Sequence, residues 1–148
     1  MKNKVLYYVL SLTWGLPMTM IGAVVALCLV ISGHKPKRWG GCIYFNVGKR
    51  WGGLELGLFF LTDKRDSEST KNHEFGHSIQ NCRYGFLMPF IVCIPSAARY
   101  WYRELRMAMG LKNETGYDSI WFEGEATKLG NEYIEMWKQE AENGGDKK

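Results

Sequence analysis

The chain begins with a long apolar stretch. No charged residue occurs between positions 5 and 33, and this exceeds the roughly 20 residues that a helix needs to cross a bilayer. Gly15 and Pro17 predict either a kinked helix or a short interfacial turn followed by a span over about residues 17–33. A cleaved signal peptide is the competing interpretation, but the stretch is too long for one and lacks a small-residue cleavage site. We therefore expect a transmembrane anchor over residues 1–33.

A second apolar stretch covers residues 84–98 and is too short for a comfortable span. Pro89 and Pro95 interrupt it. The segment is a buried core helix, a re-entrant segment, or part of a second crossing that extends to residue 102. An interfacial or hairpin segment that lies against the bilayer is the favoured interpretation.

Between the two stretches the pattern changes to that of a small sheet. Residues 42–47 are β-branched and aromatic, and residues 54–61 form a second apolar run. Residues 48–53, which are rich in glycine, predict the turn between these two strands. The glycines also permit another part of the backbone to approach closely.

Two helices are predicted in the rest of the chain. One covers residues 70–83, and Gly85 is well placed to end it. The other covers residues 118–143, where apolar positions recur four or three residues apart, as in an amphipathic helix. These positions are Phe122, Ala126, Leu129, Tyr133 and Met136.

Together these elements predict a membrane-anchored α+β fold. It consists of the anchor, a small β-hairpin or sheet, a central helix, an apolar re-entrant or second membrane segment, and a C-terminal helix. The domain after the anchor covers residues 34–148 and includes the apolar segment 84–102. The formal net charge of +4 is too small to favour nucleic acid as a partner, and the basic residues do not form one stripe.

The positions of the basic residues predict how the anchor is oriented. More of them follow the anchor than precede it: Lys35, Lys37, Arg38, Lys49 and Arg50 stand after it, and Lys2 and Lys4 before it. The positive-inside tendency then puts residues 34 onward in the cytoplasm. We expect an integral protein of the cytoplasmic membrane with the lipid bilayer as a partner.

The strongest chemical signal is the sequence His73-Glu74-Phe75-Gly76-His77. Histidines four residues apart lie on one face of a helix, where their imidazoles can hold one zinc ion. The intervening Glu74 is then placed to accept a proton from a metal-bound water. Gly76 lowers the helix propensity, but it would allow another element to pack beside the ligands.

A catalytic zinc site needs a third protein ligand and one open position. The metzincin pattern is excluded because Gln80 and Arg83 stand where it requires a glycine and a histidine. His34 adjoins the anchor and is better interpreted as a loop residue. A glutamate of the last helix remains, and Glu123 is the first choice with Glu125 as the second.

Glu123 is preferred because of its neighbours on the helix. It shares a face with Ala126, Thr127 and Gly130, which are small enough to let this helix approach the histidine helix closely. Glu125 shares its face with the larger Leu129.

The chain resembles small bacterial or phage membrane proteins related to gluzincin-type zinc peptidases. The residues that carry the resemblance are H-E-F-G-H, the glycine- and proline-bearing apolar run after it, and W-F-E-G-E-A-T-K-L-G. The resemblance implies a metallopeptidase-like domain with His73, His77 and Glu123 on zinc. Thr127 stands where related membrane peptidases often have an aspartate, which affects how the ligands are oriented.

These observations predict a membrane-bound zinc metallopeptidase that hydrolyses peptide bonds with a zinc-activated water and Glu74 as general base. The substrate is a peptide or protein, which the run 54–61 would align by backbone pairing, unless that run is a core strand. Tyr117 and Tyr133 are candidate oxyanion donors, although packing is the better interpretation of each. The alternative is a catalytically inactive protein that keeps this scaffold for metal or partner binding.

Overall fold

The computed structural model describes residues 3–112 and 119–145 of the chain, and these residues form an α+β fold, as expected. The helices are α1 (Lys4–Leu12), α2 (Leu16–Ile31), α3 (Glu68–Tyr84), α4 (Ile94–Ala108) and α5 (Trp121–Gly145). The strands are β1 (Lys37–Trp39), β2 (Cys42–Asn46), β3 (Gly53–Leu56) and β4 (Phe59–Thr62).

The strands form one mixed sheet in the order β1-β2-β4-β3. The pairs β1–β2 and β3–β4 are antiparallel, whereas β2 and β4 run parallel. Strand β3 therefore lies at an edge of the sheet, beside α3. Strand β1 had no counterpart in the sequence prediction.

The prediction of a single strand over residues 54–61 is wrong, because the chain reverses at Gly57. This glycine has a φ of +72°, and Leu56 pairs with Phe59 across the two-residue loop. A positive φ at the first loop position is typical of type II′ hairpin turns. The Glu55 carboxylate accepts a hydrogen bond from the Gly57 amide at 2.5 Å, which stabilises the reversal.

The predicted break at Gly15 and Pro17 is confirmed. Helices α1 and α2 meet at an angle of 85°, and Pro17 lies in the first turn of α2, where its missing N–H costs little. Asn81 of α3 donates a hydrogen bond to the Gly15 carbonyl at 3.2 Å and so holds the corner. Among the described residues no single helix has the length and apolarity for a membrane crossing, whereas α1 and α2 taken together pass that test by length and composition.

Part of the predicted anchor is packed into the core. Tyr7 of α1 is fully buried and meets Phe75 and Trp137 edge to face, with ring centroids 5.9 and 5.5 Å away. Its hydroxyl lies 2.5 Å from the Ser78 hydroxyl and 3.1 Å from the Cys42 sulfur. Helix α1 is thereby joined to α3, α5 and the sheet.

Helices α3 and α5 cross with almost no side chain between them. A Cβ atom at Gly76 would lie 1.8 Å from the Ala126 carbonyl oxygen, and one at Gly130 would lie 1.7 Å from the Asn72 carbonyl oxygen. Contact this close is available only to glycine. The two helices are therefore in backbone contact on both sides of the crossing.

The second apolar stretch is broken into short elements. Gly85 has a φ of +54° and ends α3, as predicted. A 3₁₀ turn (Gly85–Leu87) and a π-helical turn (Pro89–Cys93) then lead into α4. Pro95 has no amide hydrogen to donate to the preceding turn, which favours the π-helical geometry there. No residue of α4 is buried.

Replacing Gly76 with alanine tests the helix crossing. In an open helix this change would stabilise the protein by about 1 kcal/mol. Here the new methyl group must displace the Ala126 carbonyl, so we expect the free energy of unfolding to fall by about 1–3 kcal/mol. Gln139→Ala on the exposed side of α5 is the control and should change stability by less than about 0.5 kcal/mol. A more stable Gly76→Ala protein in denaturant titrations would contradict the crossing.

Candidate metal centre

Three side chains from α3 and α5 converge at one point. The Nε2 atoms of His73 and His77 are 3.1 Å apart. The Glu123 Oε2 atom lies 3.1 Å from the first and 3.2 Å from the second. His73 and His77 project from the same face of α3 because they are one helical turn apart. Glu123 reaches them because the glycines at the crossing let α5 approach.

The spacing of these atoms suits a bound metal ion. A tetrahedral ion about 2.0–2.1 Å from each ligand would hold neighbouring ligand atoms roughly 3.3 Å apart. The three contacts are only slightly shorter, and all three ligand atoms lie within 4.8 Å of one another. The described residues therefore include a His/His/Glu set that could bind a metal ion.

Gln80 determines which ring nitrogen of His77 carries a proton, because it contacts Nδ1, the nitrogen that faces away from the cluster. The Gln80 side-chain amide donates to the Phe122 carbonyl and to the Glu125 carboxylate, both at 2.8 Å. Its carbonyl oxygen therefore faces His77 Nδ1, at 2.8 Å. Because a carbonyl oxygen only accepts, Nδ1 carries a proton. A neutral ring therefore has its Nε2 lone pair available for a metal ion, whereas a protonated ring donates from Nε2 to Glu123.

Thr127 performs the same role for His73. The threonine hydroxyl donates to the Glu123 carbonyl at 3.3 Å and lies 2.9 Å from His73 Nδ1. The hydroxyl then accepts from Nδ1–H, which leaves Nε2 of this ring available as well. A neutral hydroxyl thus orients the first histidine.

Glu125, the second choice for the third ligand, lies outside the cluster. Its carboxylate accepts hydrogen bonds from Arg83 at 2.5 Å, from Tyr84 at 3.3 Å and from the Gln80 amide. It therefore holds the residue that orients His77. Sequence reasoning noticed Gln80 only as a departure from the metzincin pattern, although its position three residues after His77 on the same helix face was a signal for this contact.

Glu123 is completely buried, and its partners favour the ionised carboxylate. Burial alone would raise its pKa, but hydrogen bonds that His73 and His77 donate when their rings are protonated, and one from Ser96, outweigh burial, so the pKa lies well below its usual range. Ser96 donates to the second carboxylate oxygen at 2.5 Å and was not predicted. Both oxygens of the carboxylate are thus oriented, which is the state a metal ligand requires.

Glu74 lies against strand β3. It is 5% exposed, and a Cβ atom at Gly53 would lie 2.4 Å from its Oε1 atom. Burial raises the pKa of Glu74, and the nearby Glu123 adds to the rise, while His73 and His77 oppose it. The predicted close approach to a glycine therefore occurs at Gly53, because the Glu74 carboxylate occupies the space that a side chain there would fill.

An open cleft of about 700 Å³ adjoins the cluster. One wall is formed by α3 with His73 and Glu74 and by the edge strand β3 with Leu54. The opposite wall is formed by the π-helical turn and α4. Its lining residues there include Met88, Val92, Cys93, Ala97, Tyr100 and Trp101. The cleft combines a polar, carboxylate-bearing floor with a largely apolar wall.

Other candidate residues lie elsewhere. His34 is half-buried in the turn between α2 and β1 and is not a member of the cluster. Tyr133 is buried in the core with Tyr7 and Trp137, so packing accounts for it. Tyr117 lies outside the described residues.

Comparisons with known proteins add no relative: no protein-family model, curated protein or solved structure matches this chain. The resemblance to gluzincin-type peptidases therefore rests on the motif residues alone.

Alanine substitutions at Glu123 and Glu125 test which of the two glutamates is a metal ligand. Glu123→Ala removes one of three ligands, and we expect metal affinity to fall by more than the roughly 10–100-fold that loss of an outer partner costs. Glu125→Ala only loosens Gln80 and should stay within that range. Competition titration of the metal against a chromophoric chelator measures both. A larger loss for Glu125→Ala would reverse the assignment.

Thr127→Val keeps the shape of the side chain and removes the hydroxyl that orients His73. We expect about a 10–100-fold loss of metal affinity in the same titration. Thr127→Ser is the matched control, since it keeps the hydroxyl and should remain close to the wild-type affinity. Equal affinities of the valine variant and the wild type would show that this contact does not orient the ring.

Proposed function

We propose that the protein is a membrane-associated zinc metallopeptidase. The observation that carries the proposal is the convergence of His73, His77 and Glu123 beside the Glu74 carboxylate, at the floor of an open cleft. Two imidazoles and one carboxylate are the donor set of many zinc hydrolases, which keep one further position open for water or substrate. When bound, zinc would lower the pKa of a water molecule to about 7 and so supply the nucleophile.

Glu74 would act as the general base. Its carboxylate lines the cleft next to the two histidines, so it can accept a proton from the attacking water and pass it to the leaving amine nitrogen. Gly53 supports this role because any larger residue would push the carboxylate away.

Strand β3 would align the substrate. It is the edge strand of the sheet, and its outer side pairs with no other strand of residues 3–112 and 119–145. Gly53 and Leu54 line the cleft directly beside the metal ligands. An extended peptide that pairs with this edge would run past Glu74, and its backbone would supply most of the binding contacts.

The bilayer is the proposed partner of the N-terminal helices. Helix α2 exposes a stripe of apolar side chains at Met20, Val24, Leu27 and Ile31, and apolar exposure on this scale is characteristic of interaction surfaces. The basic cluster after α2 favours the cytoplasmic side for the domain and its site. Helices α1 and α2 would enter the bilayer as a bent pair, since they meet at 85°.

A second candidate function is metal or partner binding without catalysis. The observation that favours it is Thr127, which gives His73 a neutral hydroxyl partner in place of a charged one. A weaker orienting partner lowers the basicity of the ligand. Bound zinc without cleavage of any member of a broad peptide library would identify this function.

Glu74→Gln tests the catalytic role directly. The variant keeps the size of the side chain and every metal ligand, so we expect one zinc per chain as in the wild type. Hydrolysis of a broad peptide library should fall by at least about 100-fold, since general base catalysis contributes 10²–10⁴-fold. Glu132→Gln, the same change at an exposed position of α5, is the control and should retain full activity.

Two results would contradict the proposal. If the wild-type protein purifies without zinc and fails to take it up, the proposed metal centre is contradicted. If the Glu74→Gln variant cleaves peptides as fast as the wild type, Glu74 is not the general base.

A further inference from the structure

Helix α4 presents two different faces. Ser96, Tyr100 and Glu104 point toward the cleft and line it, in keeping with their spacing of four residues. The apolar side chains of the other face are exposed by more than half. This outer stripe consists of Ile94, Tyr102, Leu105 and, just after the helix, Met109, and Trp101 lies at its border with the cleft, which it also lines.

The outer stripe is part of a larger apolar surface. Phe90 of the π-helical turn and Phe86 of the 3₁₀ turn are exposed by 67% and 50%. Phe86 packs edge to face on Trp14, with ring centroids 4.7 Å apart. The same 3₁₀ turn contacts α2, whose outer side is apolar too. The exposed apolar surface of α2 is thus joined to that of α4 across the Trp14–Phe86 contact.

The charges on α4 favour an anionic partner for this surface. Arg99, Arg103 and Arg106 follow one another at steps of four and three residues, so they form a basic row between the outer stripe and the cleft, which Arg103 also lines. Arg99 donates to the Ser119 hydroxyl and Arg106 to the Lys112 carbonyl, and these contacts hold the row in place. An apolar stripe with aromatic residues and a basic flank is typical of helices that lie in the plane of a membrane interface. Tryptophan and tyrosine prefer that depth, and arginine pairs with anionic headgroups.

We propose that α4 lies in the headgroup layer of an anionic bilayer and that the cleft therefore opens at the membrane surface. Because one face of the same helix touches lipid and the other lines the cleft, the substrate is the membrane-proximal segment of a membrane-bound protein. The apolar wall at Met88 and Val92 suits the apolar side chains of such a segment. This substrate class rests on the proposed peptidase function; the position of α4 does not.

The position of α4 is tested with an environment-sensitive NBD label at two neighbouring residues. Leu105 belongs to the outer stripe and Glu104 to the cleft face, and both are exposed. Each is replaced by cysteine in full-length protein in which Cys28 and Cys93 are alanine. On vesicles of phosphatidylcholine and phosphatidylglycerol we expect a blue-shifted, brighter emission from position 105 and a water-like emission from position 104. Water-like emission from both positions on the vesicles would overturn the proposal.

The substrate class is tested with one mixture of quenched fluorescent peptides, used with and without a palmitoyl anchor. Leu105→Glu places a charge in the outer stripe. We expect it to lower cleavage of the vesicle-anchored peptides about tenfold, because burial of a leucine at the interface is lost. Cleavage of the free peptides in detergent should stay within about twofold, since Leu105 is outside the cleft. Gln139→Glu adds the same charge on α5 and should change neither rate.

The outcomes separate the two proposals. An equal loss on anchored and free peptides would show that the outer stripe acts on the fold, and would overturn the substrate class. Unchanged cleavage of the anchored peptides would overturn it as well. Absence of cleavage of either peptide set by the wild type would contradict the proposed function, and the NBD emission would still decide where α4 lies.

Discussion

The site depends on one helix crossing, in which the backbones of α3 and α5 touch. Gly76 and Gly130 have no side chain at the contact, and their neighbours across it are carbonyl groups. A methyl group at either glycine would push α5 outward by more than the margin that metal–ligand distances allow. Glu123 would then no longer reach His73 and His77. The same crossing brings Thr127 to the outer nitrogen of His73, and it brings the α5 groups that orient Gln80 beside His77. The candidate ligands and their orienting partners therefore depend on one contact.

The buried Glu123 carboxylate explains why the surroundings of the site are so polar. Transfer of an ionised carboxylate into the protein interior costs several kcal/mol unless strong partners compensate. The Ser96 hydroxyl and, when their rings are protonated, the two imidazoles supply those partners. Each imidazole is in turn held by a group with a defined donor or acceptor role, as far out as Glu125 and Arg83. A cation at the centre of this arrangement would balance a charge that the fold already holds there.

The sequence predicted the parts of the structure that local spacing determines. The step of four between His73 and His77, the end of α3 at Gly85 and the small residues near Glu123 all act within a few turns of one helix. The predictions failed where distant contacts decide. The reversal at Gly57 depends on Glu55 capping and on a sheet whose parallel β2–β4 pair has no local signal. Tyr7 belongs to the apolar stretch that predicted an anchor, but long-range packing on Phe75 makes it part of the core. Ser96 approaches Glu123 only because the π-helical turn directs α4 back across the cleft.

A glycine in the edge strand also lets the candidate metal centre lie close to the sheet. Gly53 belongs to β3, and the Glu74 carboxylate occupies the space that its side chain would fill. The proposed general base and the strand proposed to align the substrate are therefore held at a fixed distance by one residue. A peptide paired with β3 would pass the carboxylate at a defined register, because strand pairing fixes which backbone groups face each other. Gly53, Gly76 and Gly130 thus act together, because they let a strand, a metal-binding helix and a ligand-bearing helix meet within a few ångströms. The proposed hydrolysis of one peptide bond would need such proximity of base, candidate metal ligands and substrate.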